Sequence, residues 1–390
     1  MLNDHWRRTL RELADIEDDD LPFLTVTMDL RPDGAARRES LTWLSQAMLD
    51  RDADRKSLPY HGDALKTFED DLAWVRDYVG DFRGGRYDPA SKGIVFFACG
   101  ARGIRRVIEL PVPIENRLAV AGRPVLIPLA AAVASYPDYL VAPVDADSCR
   151  LFAVSMKRVW DRAEHQGDTA DLSWTAREGG WSLKRYQRHI DHWRSAFAEE
   201  SMAMIVQELS RVDAPYLVLI GEEWAVAELR RHLPEALSAE VVFGGHVMVD
   251  LANEAQVVGE AEPVVQKEYE RRVREQGDRI VAAASEGRPA AMGLGPVVRA
   301  LEEGAVSLLV LPPSLEIHGW RCTSCGHLSE GESPGSCPLC RQQTTPVDMG
   351  EVILREALRQ DAQIFFLSSH AELGSYGGVG ALLRFPVSVR

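Results

Sequence analysis

The chain has 390 residues, with 44 Lys+Arg against 59 Asp+Glu, and so carries a formal net charge of −15. At roughly 100–200 residues per domain this length predicts two or three domains. A content of 46% hydrophobic and 26% charged residues excludes a wholly disordered, collagen-like or coiled-coil chain. The acidic balance also excludes a surface that grips nucleic acid everywhere, because phosphate binding needs clustered Lys and Arg; any RNA contact must be a local basic patch. The stretch MLNDHWRRTLRELADIEDDD is charged throughout and lacks the apolar core of a signal peptide. No apolar run reaches the ~20 residues of a membrane helix, and the nearest, Val125 to Ser135, is interrupted by Pro128. The expectation is a cytoplasmic protein whose partners include neither membrane nor DNA and whose cysteines stay reduced.

In chain order, Phe23 to Leu30 has strand character. Leu65, Phe68, Leu72, Val75 and Val79 recur at 3/4 spacing, which places them on one face of a helix. Ile94 to Cys99 and Arg106 to Leu110 read as further strands, so residues 1–125 form an α+β block. The Pro-rich PVPIENR and Gly122-Arg123-Pro124 fit a linker and a first boundary. The second block, residues 126–262, opens with strands Tyr139 to Val144 and Cys149 to Val159 around the turn-like Asp145-Ala146-Asp147-Ser148. A polar loop over Gln166 to Gly180 follows, then a helix from Ser182 to about Arg211, the apolar strand Pro215 to Gly221, a helix Glu222 to His232 and a strand Glu240 to Phe243. Such a strand, helix, strand succession marks an α/β layer. A charged helix over Val264 to Ala284 leads into the third block, residues 263–390, with a helix Leu294 to Glu303, a strand Ser307 to Leu311, a cysteine-rich insertion over 316–346, a helix Met349 to Arg359, a strand Ala362 to Leu367 and a closing apolar Ala381 to Phe385.

Four of the six cysteines form two CxxC pairs, Cys322/Cys325 and Cys337/Cys340, separated by eleven residues. A two-residue gap turns both thiolates of a pair toward one point, and two such knuckles supply the tetrahedral ligands of a structural Zn2+ site with no open position for a reacting water. Gly326 and Pro338 suit that geometry, while Cys99 and Cys149 lie in apolar strands and read as core.

The most unusual stretch runs from Arg177 to Arg194, where five Lys/Arg and two Asp/Glu give a local charge of +3. Leu183, Tyr186, Ile190, Trp193 and Phe197 recur at 3/4 spacing and dock one helix face on the core. The other face carries Lys184, Arg185, Arg188, His189 and His192. A helix of this kind is either a solvated face or a phosphate-facing surface, and the polar loop ending in Gly-Gly-aromatic before it favours the second.

Gly179-Gly180-x-Ser182 followed by a helix with Arg185, Arg188 and Arg194 resembles the Gly-Gly-Gln loop and helix of archaeal and eukaryotic peptide-chain release factors. GLGPVVRALEEGAVSLLVL, the CxxC…CxxC insertion and the closing GGVGALLRF resemble the C-terminal domain of those factors. The likeness covers about residues 127–390, and the chain resembles the bacterial branch of this superfamily, which includes Balon-like ribosome-associated factors. No codon-reading motif of the Asn-Ile-Lys-Ser type is recognisable in the first block.

The resemblance implies a multidomain α/β and α+β protein, with an N-terminal α+β domain, a ribonuclease-H-like middle domain and a C-terminal α/β sandwich of the kink-turn-binding ribosomal-protein type with a zinc-ribbon insertion. It implies a translation factor at the aminoacyl-tRNA site of the ribosome, touching rRNA and the tRNA site, in hibernation or in rescue of stalled ribosomes, with a translational GTPase such as elongation factor Tu as a candidate companion. It also implies RNA contacts from Arg177, Lys184, Arg185, Arg188, His189, His192 and Arg194. At the loop tip, Gly179, Gly180 and Trp181 occupy the family's catalytic position, with Trp181 where the family has Gln. An indole donates one hydrogen bond and cannot accept from water as an amide does, so no catalytic residue is expected. Trp181 would stack on an exposed base or pack on its own domain. Two alternatives stay open: a peptidyl-tRNA hydrolase in which Gln187 or a backbone group replaces the missing Gln, and an RNA-binding module acting off the ribosome. Gly377-Gly378-Val379-Gly380 reads as a tight turn and not a nucleotide loop, and Asp145 with Asp147 as a turn and not a metal-binding acid pair.

Overall fold

The computed structural model describes residues 4–17, 21–31, 36–53, 61–80, 87–88, 90–166, 183–235, 237, 239–245 and 252–387. The chain divides into two compact units, Met1–Ser135 with Arg272–Arg390, and Tyr136–Arg271. The first and third sequence blocks thus share one unit. Among the described residues no helix is long and apolar enough to cross a membrane.

In the first unit, β1 (Phe23–Asp29), β2 (Gly93–Cys99), β3 (Ile104–Leu110) and β4 (Arg117–Ala121) form an antiparallel sheet in the order β3-β2-β1-β4. Both central strands are buried almost throughout, so they read as continuous apolar runs and not as alternation. Leu24, Val26, Met28, Ile94, Phe96 and Ala98 pack against Phe68, Leu72, Val75 and Val79 of a helix. That helix is α3 (Asp63–Gly80), which follows α1 (Asp4–Ala14) and α2 (Ala36–Ala53). The linker expected after Leu110 is interrupted by β4, whose Ala119 pairs with Thr25 of β1. The prolines at 111, 113 and 124 and Gly122 flank this five-residue strand and hide it. The Thr25 hydroxyl oxygen then accepts the Val125 N–H at 3.0 Å, which leads the chain into α4 (Ile127–Ala134).

In the second unit, β5 (Tyr139–Val144), β6 (Ser148–Ser155), β7 (Arg158–Gln166), β8 (Tyr216–Gly221) and β9 (Glu240–Phe243) lie in the order β7-β6-β5-β8-β9. The β5-β6 and β6-β7 pairs are antiparallel, and β5-β8 and β8-β9 are parallel. The expected single strand from Cys149 to Val159 is instead a hairpin. Met156 and Lys157 turn the chain at φ 45° and 66°, without the Asn or Gly that usually announces such a turn. The polar segment that follows is strand β7 as far as Gln166. One sheet face, with Leu140, Ala142, Leu151 and Ala153, packs on Phe197, Met202, Ile205 and Leu209 of α5 (Leu183–Val212) and on Ala225 and Leu229 of α6 (Glu223–Arg231). Arg150 donates to the Ala252 carbonyl at 3.0 Å, and Arg162 pairs with Glu254 at 2.7 Å, which places the start of α7 (Glu254–Ser285) against the opposite face.

The helix α7 starts ten residues before the expected Val264. Asn253 and Gln256 exchange side-chain to backbone hydrogen bonds at 2.9 and 3.0 Å, a capping box, and Pro263 sits inside the helix without ending it.

The C-terminal part of the first unit holds β10 (Ala290–Met292), α8 (Leu294–Glu302) and β11 (Val306–Leu311). Next comes a three-stranded insertion of β12 (His318–Cys322), β13 (Leu328–Glu330) and β14 (Thr344–Asp348), then α9 (Met349–Arg359), β15 (Gln363–Phe366) and β16 (Gly380–Leu383). The main sheet runs β10-β16-β11-β15, with β11 and β15 parallel. Asp348 caps α9 by accepting the Gly350 N–H at 2.9 Å.

Two charged side chains on α9 are buried. Glu351 accepts the N–H groups of Leu126 at 2.8 Å and Ile127 at 2.8 Å, at the start of α4. Arg355 donates to the carbonyls of Leu13 at 3.2 Å and Ala14 at 2.9 Å, at the end of α1, and to the carbonyl of Pro124. Burial pushes the Glu351 carboxyl above the usual carboxylate range, while Arg355 and the two amides pull it down. A buried ion left without its partners costs about 3–5 kcal/mol. Glu351→Ala and Arg355→Ala are therefore each expected to lower the urea-unfolding free energy by about that amount; losses under ~1 kcal/mol, the scale of an exposed pair, would show these contacts to be incidental.

Candidate functional site

Cys322 closes β12, and its knuckle partner Cys325 follows after Thr323 and Ser324. The Cys325 N–H points at the Cys322 sulfur at 3.5 Å, and the Gly326 N–H bonds the Cys322 carbonyl at 3.2 Å, with Gly326 at φ 73°. The second knuckle closes through Arg341 N–H on the Cys337 carbonyl at 2.8 Å. All four sulfurs lie within 4.8 Å of one another, with Cys322 to Cys340 at 3.3 Å and Cys325 to Cys337 at 3.7 Å. A tetrahedron with ~2.3 Å metal–sulfur bonds has edges of about 3.8 Å, so the donor set fits a thiophilic ion. These four cysteines could hold a metal ion.

The knuckle amides also tune the thiols. The backbone N–H of Cys325, helped by that of Ser324, draws Cys322 down to about 6. At Cys325 the His327 N–H draws the thiol down, but the sulfurs of Cys340 and Cys322, burial and Cys337 together push it up to about 12.

Of the loop residues singled out in the sequence, Arg177, Gly179, Gly180 and Trp181 lie outside the described residues. Lys184, Arg185 and His189 lie on the α5 backbone, and their side chains, like that of Gln187, are outside the described set. Arg188 and His192 are exposed one turn apart, so they share a face. Arg194 does not join them, since two residues further on it points away from His192 and its guanidinium lies 4.2 Å over the Trp224 ring. On the apolar side, Trp193 stacks on Phe197 at 5.8 Å and Phe197 is buried, while the side chains of Leu183 and Tyr186 lie outside the described set. His165 of β7 stacks on the same Phe197 ring at 5.3 Å, a contact the sequence did not signal because the expected strand ended at Val159.

The remaining motifs take structural roles. The Asp145 N–H bonds the Ser148 carbonyl at 3.0 Å, and the Asp147 N–H points at the Asp145 carboxylate at 3.3 Å, which closes a hairpin turn. Gly377 and Gly378 both adopt φ 74° just before β16. Cys99 and Cys149 are buried, and burial pushes the Cys149 thiol up to about 12, with the Ser201 hydroxyl pulling the other way.

Residues 124–266 match the family model described as bacterial archaeo-eukaryotic release factor family 10. Among solved structures the chain is similar to an archaeal translation termination factor, aRF1, at 16% identity over 99% of this chain and 99% of that one, with a TM-score of 0.24. It is similar to archaeal Pelota, in a model of ribosome-bound Pelota and ABCE1, at 18% identity over 76% and 78% with a TM-score of 0.42. It is also similar to S. cerevisiae Dom34, a translation termination-like factor, at 10% identity over 75% and 81% with a TM-score of 0.37. No curated protein matches the chain. The matched stretch, residues 124–266, is thus similar to a bacterial family of the archaeo-eukaryotic release factors, the group that the chain's motifs resemble.

Proposed function

We propose that this protein is a cytoplasmic, ribosome-binding translation factor that occupies the aminoacyl-tRNA site, in hibernation or in rescue of stalled ribosomes, without hydrolysing peptidyl-tRNA. The observation that carries this reading is the family match over 124–266, a span that contains the loop with Trp181 at the position of the family's Gln. Ester cleavage there needs a water held beside an amide and donors for the developing oxyanion. Trp181 offers one N–H, no acceptor for water, and a bulk that fills the water's place. Its indole is suited instead to stacking on a base, a contact worth ~1–3 kcal/mol.

The strand order β7-β6-β5-β8-β9, three antiparallel strands followed by two parallel ones, supports the ribonuclease-H-like reading of residues 126–262. The exposed Arg188 and His192 support an RNA-facing role for α5, with Arg177, Lys184, Arg185, His189 and Arg194 as further contacts. Residues 263–390 would then be the part of kink-turn-binding ribosomal-protein type, the surface for a translational GTPase such as elongation factor Tu, and residues 1–125 would add a further recognition surface within the same unit. In the ribbon over 316–346 the ion is Zn2+, held by Cys322, Cys325, Cys337 and Cys340 with no position left for a reacting water.

The protein is expected to co-sediment with 70S or 50S particles from starved cells, and absence from both would remove the ribosomal reading. Stalled complexes carrying labelled peptide are expected to show no release above buffer. Release that disappears in Gly179→Ala and Gly180→Ala would instead establish a hydrolase. Metal analysis is expected to return about one equivalent of zinc, lost in a Cys325→Ser, Cys340→Ser variant; less than about half an equivalent in the unaltered protein would count against the site.

A further inference from the structure

The four cysteines of the ribbon do not share one environment. Cys322 and Cys337 are each 1% exposed and pack with Trp320, whereas Cys340 is half-buried and Cys325 is exposed. Each knuckle thus has one cysteine inside and one at or near the surface. Thr323 and Ser324, which precede Cys325, are themselves exposed, and a Cβ built on Gly326 would meet nothing within 4 Å among the described residues. Within the knuckle only small residues flank Cys325, so a small solute reaches it. Cys99 and Cys149, 1% and 0% exposed in β2 and β6, are closed to the same solute.

Backbone bonds tie the two knuckles to each other. Thr323 donates both its N–H and its hydroxyl to the Gln343 carbonyl at 3.0 Å, and Ser336 pairs with Gln343 in an isolated antiparallel bridge. The knuckles therefore face each other, with the Cys337 sulfur 3.7 Å from that of Cys325. The second contact, Cys322 with Cys340 at 3.3 Å, also runs from one knuckle to the other. A disulfide bond is about 2.05 Å long, so closing either pair needs a sulfur shift of under ~2 Å. Exposure decides which sulfur an oxidant meets first, and proximity decides which sulfur answers it.

We propose that Cys325 is a site of reversible oxidation by a hydroperoxide, and that Cys337 resolves it into a disulfide across the two knuckles. The Cys325 thiolate attacks one peroxide oxygen, the O–O bond breaks and hydroxide or alkoxide leaves, which forms a sulfenic acid on Cys325. The Cys337 thiolate then attacks that sulfur, hydroxide leaves and the S–S bond forms. Two electrons pass from the two sulfurs to the peroxide, and a thiol reductant returns them. The inference rests on the metal reading of the ribbon, since the disulfide withdraws two of the four donors for Zn2+. Cys322 and Cys340 alone leave the tetrahedral set incomplete, so oxidation releases the ion and acts on the fold of the insertion.

The test uses the full chain, purified with a thiol reductant and then freed of it, and hydrogen peroxide as the oxidant. Zinc release is followed with a chromophoric chelator, and disulfides are mapped by mass spectrometry after alkylation. The first product is expected to be the disulfide of Cys325 with Cys337, with about one ion released per disulfide and Cys99 and Cys149 recovered as free thiols. Dithiothreitol with added Zn2+ is expected to restore the bound metal. Cys325→His keeps four ligands, because three cysteines and one histidine also hold zinc, and is expected to slow release about tenfold or more, whereas Cys340→His stays within about threefold. If either variant fails to hold zinc, the disulfide map of the unaltered protein decides alone. No reaction, a first disulfide that omits Cys325 or Cys337, or equal slowing in the two variants would overturn the inference. Reduced protein that holds no zinc yet forms this disulfide would remove the metal reading and leave the oxidation site standing.

Discussion

One carboxylate and one guanidinium, a single helical turn apart on α9, hold the ends of two other helices. Every helix leaves N–H groups orphaned at its start and carbonyls orphaned at its end. At the start of α4 the capping residue Leu126 has no side-chain acceptor of its own, and Pro128 brings no N–H, so the donors needing a partner include Leu126 and Ile127. Glu351 takes both. At the end of α1, Arg355 takes the carbonyls of Leu13 and Ala14, and Arg359 adds a second bond to Ala14 at 3.2 Å. The negative group sits at a helix N-terminus and the positive group at a C-terminus, the sense the peptide dipoles favour. Neither ion would survive burial without these bonds. They fasten the chain's opening helix, the segment after β4 and the C-terminal α9 into one unit, which is why the first and third blocks do not fold as separate bodies.

The C-terminal insertion meets a different limit. Its three strands span no more than five residues each, and the buried cluster at its centre consists of Trp320, Cys322 and Cys337, with Cys340 packed beside it. Three side chains do not bury enough apolar surface to order some thirty residues against their conformational entropy. The cysteines are core and donor set at once, so an ion held there would supply cohesion that the sequence does not provide through hydrophobic mass.

Much of this was legible where the signal is local. The α9 bounds, the 3/4 face of α3 and the two CxxC knuckles follow from spacing alone. What stayed hidden was either non-local or carried by unexpected residues. Nothing near Arg355 announces acceptors more than two hundred positions away. The β6-β7 turn is built from Met156 and Lys157, both at positive φ, so β6, the turn and the start of β7 read as one strand ending at Val159, and the charged remainder of β7 gives no strand signal. Pro263 reads as a helix stop, although the Asn253 and Gln256 start signal lies ten residues upstream. The loop tip that bears on chemistry was legible only through resemblance, since Gly-Gly-Trp has no mechanism in its spacing.

The distribution of charge explains how an acidic chain can still present cations selectively. Many of its arginines are spent internally: Arg105 on Asp71, Arg211 on Asp161 and Glu208, Arg271 on Glu240 and Glu268. Ion pairs of this kind leave little net field outside the molecule. A different use appears in the second unit, where Arg194 lies over Trp224 and Arg230 lies 4.1 Å over Phe243. An aromatic ring supports the guanidinium face while leaving the donor edge directed outward, so the charge is positioned without being neutralised. Against a net charge of −15 such sites stand out more strongly than they would on a basic protein. Under the proposed function, repulsion from the remaining surface would disfavour other approaches of a polyanion, so the acidic excess would contribute orientation while the exposed cations would contribute affinity.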